Sequence, residues 1–184
     1  MTGVVHGRFQ ILHNDHMKYI LAGAKKCSHL VVGITNPDPG LTREDGADPA
    51  RSAPASNPLT YWERYCMVSA ALMEEGLPPG AFSVVPFPVN LPELWANYLP
   101  LDATFFLTIY DAWGERKLAM FQEHGLTVDI LWRRPADQKG ITSTQVRHAM
   151  AVNSPWKHLV PASVAEILRE KSILSRIISS CSGV

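Results

Sequence analysis

An α/β fold, with a parallel five-stranded sheet covered by helices on both faces, is predicted from three observations. Short runs rich in Val, Ile and Phe at 29–35, 82–87, 104–109 and 126–132 alternate with segments of helical apolar period. The first stretch, GVVHGRFQILHNDHMKYILAGAKK at 3–26, repeats that order as strand, turn and helix. The 184 residues, 46% of them apolar, suffice for one ample core. Residues 1–160 are expected to form the α/β domain, and a C-terminal helical appendage in 161–184 to pack on it.

Taken in order, Val4 and Val5 suit a buried strand, and Gly7 marks a close approach of the backbone. Asn14 is the expected N-cap of a helix whose apolar stripe is Met17, Ile20, Leu21 and Ala24. After the strand at 29–35, residues 36–58 have no apolar period and read as a long loop. Thr60 and Glu63 form a capping-box pattern, and Gly76 ends the helix they open, with Trp62, Tyr65, Cys66, Ser69, Leu72 and Met73 on its expected inner face. The strand at 82–87 leads through prolines to a short helix at 91–99. After the strand at 104–109, Asp111 caps a helix from Trp113 to His124 that stops at Gly125, and Trp113 is expected in the core. Beyond the fifth strand, Thr142 and Gln145 repeat the capping box, and a last helix runs from Pro161 or Ser163 to about Ile178.

Two turns carry chemistry. His13 and His16, three residues apart at a helix start, can face one spot beside its positive end, where amides and imidazoles attract phosphate. In GITSTQVR at 140–147, Thr142, Ser143 and Thr144 open a helix and Arg147 shares their face, which describes a phosphate clamp. Taken alone, each has an ordinary reading as well: a surface histidine, a capped helix followed by an arginine. In a parallel α/β sheet both turns fall at the carboxyl rim, where ligands bind.

Composition narrows the classes. Net charge is zero, which argues against nucleic acid as the main partner. No apolar run approaches the roughly 18 residues of a membrane span, and no signal-peptide pattern is seen, so a cytoplasmic protein without membrane contact is expected. Cys27, Cys66 and Cys181 lack a CxxC spacing and fit a reducing compartment. No GxGxxG opens the first helix, which disfavours an NAD-dependent oxidoreductase.

Jointly, GRFQILHNDH and GITSTQVR resemble the nucleotidyltransferase superfamily with its HxGH and ISSTxxR turns. The likeness is greatest to archaeal-type nicotinamide-nucleotide adenylyltransferases, and it extends through NPLTYWERY, VPFP with Trp95, and PWKHLVPASVAEIL. It implies a Rossmann-like, doubly wound sheet and direct transfer of a nucleoside monophosphate to a phosphate-bearing acceptor, with release of pyrophosphate. It also implies that His13, His16 and Arg147 are catalytic and that Gly7, Arg8, Phe9 and Gln10 line the nucleotide pocket. Thr142, Ser143 and Thr144 would hold phosphates beside Arg147, with Mg2+ bound through the triphosphate and no dedicated metal ligands. Trp95 and Glu93 are candidates for the acceptor.

The sequence departs from the family at three places. Asp15 replaces the HxGH glycine, and beside a triphosphate it would have to point away or meet magnesium or a base such as Lys18. Ser56 stands where the family has an arginine, so that phosphate contact is missing or supplied elsewhere, with Arg43 and Arg51 as candidates. PFPVNLPE lacks the family's aspartate, leaving Glu93 as substitute. ATP and nicotinamide mononucleotide are the expected substrates. The alternatives are a cytidylyltransferase using CTP and a phosphate or phosphonate acceptor, and a non-catalytic nucleotide-binding module. The loop YDAWGERK is open to contact with base or acceptor, Arg133, Arg134 and Lys139 to steering phosphate, and a homo-oligomer is left open.

Overall fold

The computed structural model describes residues 1–42 and 52–181. Its sheet is wholly parallel, in the order β3-β2-β1-β4-β5, with β1 Thr2–Gly7, β2 His29–Thr35, β3 Phe82–Phe87, β4 Thr104–Ile109 and β5 Thr127–Arg133. The chain winds outward from β1 to β3, returns to β4 and winds the other way to β5. The strand order therefore reverses between β1 and β4, the place where such sheets open a crevice.

One face carries α1 (Asn14–Ala24) and α2 (Tyr61–Glu74), whose Met17, Ile20, Met67, Val68 and Leu72 bury against Val5, Val32, Ile34 and Phe106. The same core takes Val146 and Met150 of α4 (Ser143–Ala151), Val164 of α5 (Ala162–Ile167) and Ile177 of α6 (Lys171–Cys181). The opposite face is covered by α3 (Ala112–Glu123) and a 3-10 segment, Pro92–Asn97, over Val4, Phe87, Phe105 and Leu107. Strand alternation divides the two cores: Val4 turns to one and Val5 to the other.

Four local expectations are corrected. The segment at 91–99 is a 3-10 helix rather than an α-helix. The last helix is two, α5 and α6. An unbroken helix would put Ile173 and Ile177 well off the stripe of Val164 and Leu168, and the break at 168–170 brings both sets to the core. On α2 the inward residues are Arg64, Met67, Val68, Ala71 and Leu72, while Trp62 is 65% and Met73 50% exposed. The rotation delivers Arg64 to the strand ends. Its guanidinium donates to the carbonyls of Thr35 (2.8 Å), Asn36 (2.7 Å), Arg8 (3.0 Å), Pro37 (3.2 Å) and Thr60 (3.1 Å). Finally, His13, not Asn14, caps α1, and the Asn14 amide instead donates to the His158 carbonyl at 2.9 Å. Of the long loop, residues 43–51, with Arg43 and Arg51, lie outside the described residues.

No described helix is long and apolar enough to cross a membrane.

Candidate active site

The crevice has a visible cause. β1 and β2 pair along six residues, but β1 and β4 pair only at Gly3–Thr104 and Val4–Phe105. Beyond that point the Tyr19 hydroxyl stands between them, accepting from the His6 amide at 3.1 Å and donating to the Phe106 carbonyl at 2.7 Å. The phenol replaces a rung of the ladder and holds the two strand ends apart. Burial pushes its pKa well above the usual value, so it remains a donor. Past it opens a cavity of about 350 Å³, of the size that holds small ligands.

On one side the cavity is built from the two expected turns. His13 and His16 cap α1 reciprocally: the His16 amide donates to His13 Nδ1 at 3.3 Å and the His13 amide to His16 Nδ1 at 3.4 Å, with the rings stacked 3.6 Å apart. A nitrogen that accepts an amide proton carries none of its own. Both neutral rings are therefore fixed as the Nε2–H tautomer, two parallel donors at a helix N-terminus. Burial drives the His13 pKa down from 6.5 to about 4, with the Asp15 charge opposing it weakly. The unfolded chain binds this proton more readily, so the native state loses stability as pH falls from 6.5 towards 4. The loss amounts to about 3 kcal/mol at most, to be seen as a fall in thermal midpoint that His13→Gln removes.

Phe9 holds the turn in shape. Its φ is +51°, a strained conformation for a side-chain-bearing residue, and its ring meets His16 edge-on at 5.1 Å. The ring also covers Gly7, where a Cβ would lie 2.7 Å from it, so the close approach foreseen at Gly7 is to Phe9.

The second turn is joined to the first. Asp15 Oδ2 accepts from the Ile141 amide at 2.6 Å while Oδ1 pairs with Lys18. Partial burial raises the Asp15 pKa, but Lys18 and the Ile141 amide outweigh it and hold the carboxyl below its usual range. Gly140, at φ +74°, is required beside it, since a Cβ there would fall 2.2 Å from Oδ2. The carboxylate that departs from the family pattern thus carries its own counter-cation and ties the two turns together. Ser143 Oγ adds a bond to the Ile11 carbonyl at 2.8 Å, and Thr142 forms its capping box with Gln145.

The structure gathers Gly7, Arg8, Phe9, His13, His16, Thr142, Ser143 and Thr144 around the cavity. Four other candidates are outside its lining. Gln10 is buried and clamps Leu59 through both ends of its amide (2.9 and 3.0 Å), so its side chain is a brace and not a pocket wall. Arg147 is turned inward, donating to the Gln10 carbonyl and, at 3.4 Å, to Thr144 Oγ1. Trp95 is 1% exposed among Phe87, Phe121 and His124, with its indole N–H on the Pro88 carbonyl, which leaves no ring face for an acceptor. Glu93 is exposed on the far side of that 3-10 segment from the buried Trp95. Ser56 offers its carbonyl to Arg8 at 3.5 Å.

The remaining walls come from residues that the sequence reading missed or left open. Tyr110, Asp111 and Trp113 line the cavity, so Trp113 is not the core residue expected. Lys139 reaches the cavity and pairs with Asp111 at 2.9 Å, whereas Arg133 pairs with Glu115 and Arg134 lies over the Trp132 ring. His6, Asn90 and Lys117 also line the cavity. Only His6, a polar residue in an apolar strand, carried a local signal. Among the described residues no group of three or more His, Cys, Asp or Glu is gathered to hold a metal ion.

Across 176 residues the chain is 49% identical to phosphonoformate cytidylyltransferase of Streptomyces viridochromogenes, covering 96% of this chain and 95% of that one. The chain belongs to the nucleotidyltransferase superfamily. This nucleotidyltransferase is also 31% identical over 180 residues to the nicotinamide-nucleotide adenylyltransferase of Thermococcus sibiricus, covering 96% of this chain and 88% of the relative. No protein-family model matches it. Its fold is shared with a bifunctional NMN adenylyltransferase/ADP ribose pyrophosphatase of Francisella tularensis complexed with AMP and a manganese ion (TM-score 0.56, 12% identity, 97% of this chain and 52% of that one). The nucleotidyltransferase thus spans about half of that bifunctional chain. A second neighbour is a putative nicotinate-nucleotide adenylyltransferase of Vibrio parahaemolyticus (TM-score 0.58, 16% identity, 91% and 98% covered). Of the two activities named by its relatives, cytidylyl transfer is the better supported. The comparison thus favours the cytidylyl alternative over the expected adenylyltransferase acting on nicotinamide mononucleotide, which the 31% relative also supports.

Proposed function

We propose that the chain transfers CMP from CTP to a small phosphonate acceptor and releases pyrophosphate. The observation that carries this reading is the 49% identity, over nearly the full length of both chains, to phosphonoformate cytidylyltransferase. A phosphonate oxygen of the acceptor attacks the α-phosphorus and forms a P–O bond. The bond from that phosphorus to the bridging oxygen breaks, and pyrophosphate leaves with the electron pair. No protein nucleophile takes part, so catalysis is positioning together with neutralisation of the charge growing on the phosphoryl oxygens.

His13 and His16 serve that purpose as neutral Nε2–H donors whose orientation is fixed before the substrate arrives. The unpaired first amides of α4, with Thr142, Ser143 and Thr144, hold the leaving phosphates. The inward pose of Arg147 supports a role in bracing the Gln10 carbonyl beneath the histidine turn, with direct phosphate contact requiring it to swing outward. Among the described residues the cavity carboxylates Asp15 and Asp111 are committed to Lys18, Ile141 and Lys139, and so do not suit a metal held by side chains. On this reading magnesium arrives bound to the triphosphate.

The adenylyl alternative keeps support from the 31% relatives. Pyrophosphate release separates the two when CTP and ATP are each offered with phosphonoformate and with nicotinamide mononucleotide. Turnover with CTP and phosphonoformate is expected to exceed every other pairing by at least about tenfold, a difference of roughly 1.4 kcal/mol in the barrier. Turnover confined to ATP and nicotinamide mononucleotide would overturn the proposal. CTP binding without turnover on any acceptor would favour the non-catalytic module.

A further inference from the structure

Helix α3 carries a lysine where its packing calls for an apolar side chain. Gly114 and Phe121 are the buried residues of this helix, and Leu118 packs against the same core. Lys117 falls on that stripe, three residues after Gly114 and four before Phe121. Its half-buried stem runs inward and brings the ammonium into the cavity, 3.3 Å from His6 Nε2 and 6.0 Å from the Trp113 ring centre.

His6 is equally out of character. It is 5% exposed in a strand of apolar residues, with its ring set against Phe87 and Phe121 at 5.4 Å each. An ammonium can only donate, so His6 Nε2 accepts and the imidazole is neutral. The ring therefore steers the Lys117 cation without cancelling its charge. Ordering a lysine inward costs desolvation and side-chain entropy, which an apolar residue at 117 would avoid.

The location gives this cost a purpose. Strand alternation sends His6 to the face covered by α3, and the histidine turn rises from the face covered by α1. The cavity is lined by both helix starts, by Gly7 at the end of β1 and by Lys117, so anion-binding groups reach it from elements on both faces of the sheet. Val89 and Asn90 also line it. A short molecule spanning these groups would present one anionic group to the helix starts and one to the ammonium.

We propose that Lys117, positioned by His6, binds a carboxylate carried by the acceptor beside its attacking phosphonate. The inference rests on the cytidylyl-transfer reading and deepens it. The substrate class becomes small carboxy-phosphonates, selected by a charge on the side away from the triphosphate.

The test compares phosphonoformate with methylphosphonate, which lacks the carboxylate, in CTP-dependent pyrophosphate release by the wild-type chain, Lys117→Met and Lys117→Arg. Methionine keeps the length and packing of the stem and removes the charge. It is expected to raise the KM for phosphonoformate by about 10- to 100-fold, the value of one charge-assisted contact, with the KM for CTP unchanged within about twofold. Methylphosphonate should be a poor acceptor for the wild type and no poorer for the variant, and arginine should restore part of the loss. An equal rise in the KM for CTP, or an equal loss with methylphosphonate, would overturn the assignment. If wild-type protein transfers CMP to neither phosphonate, the functional reading itself fails. Calorimetric binding of phosphonoformate then decides the subsite separately: weakened by Lys117→Met it stands, and undiminished or undetectable binding removes it.

Discussion

Arg64→Met is expected to destabilise the chain by about 3–5 kcal/mol, equivalent to a fall of roughly 10 °C in thermal midpoint for a domain of this size. The side chain is 1% exposed, and it meets no carboxylate among its hydrogen-bond partners. Its partners are backbone carbonyls where β1 and β2 end, at Arg8, Thr35, Asn36 and Pro37, together with the Thr60 carbonyl at the start of α2. The Thr60 carbonyl also accepts the backbone amide of residue 64 at 3.3 Å, and for the strand-end carbonyls burial without a hydrogen bond costs more than the bond itself is worth in water. Methionine fills much of the volume, but its side chain donates to none of them. The guanidinium is itself strained by desolvation, which lowers its pKa to about 10, yet it remains protonated at neutral pH. Lysine should recover only part of the loss, since one ammonium cannot span the five acceptors that the planar fork reaches. Thermal and urea unfolding of the two variants measure this directly. A change below about 1 kcal/mol for methionine would show that the carbonyls find water instead.

His16→Ala is expected to lower kcat by about 100- to 1,000-fold, with the KM for CTP altered little. Its Nε2–H is one of two donors at the N-terminus of α1, where on the proposed reading charge grows as pyrophosphate departs. Its Nδ1 accepts the His13 amide, so the same change also removes half of the helix cap and costs about 1 kcal/mol of stability. The two effects separate experimentally: stopped assays read the first, and thermal unfolding reads the second. A kcat reduced by less than about threefold would place the transition-state donors elsewhere.

The fold was readable because its signals are local. Alternating strand and helix runs, with capping boxes at Thr60–Glu63 and Thr142–Gln145, determine a doubly wound sheet almost element by element. The two turns that line the cavity were readable because both are contiguous and lie at helix starts. What escaped depends on distant partners. His13 and His16 form a capping box in imidazoles, outside the Ser/Thr and Glu/Gln alphabet by which such boxes are recognised. Arg64 carries no local signal of its role, since the carbonyls it serves at 35–37 lie some thirty residues earlier. A charge inside a helix usually faces solvent, and Lys117 reads that way until β1 is packed beneath it. Trp95 erred in the opposite direction. An aromatic after the third strand suits an acceptor pocket or a core equally well, and only the enclosing Phe87 and Phe121 decide between them.

The phenol of Tyr19 has a consequence for how this architecture can diversify. It acts as a spacer of fixed covalent length between β1 and β4, insensitive to pH and incompressible. On the proposed reading, the aperture for the acceptor is set by one side chain, while the grip on phosphate is set by His13 and His16, six and three residues earlier. Size selection and chemistry would then be held by separable parts of α1. A substitution at position 19 would resize the opening while leaving the reciprocal cap of the two imidazoles in place, so the sheet edge could be refitted to a new acceptor with the proposed transfer machinery kept.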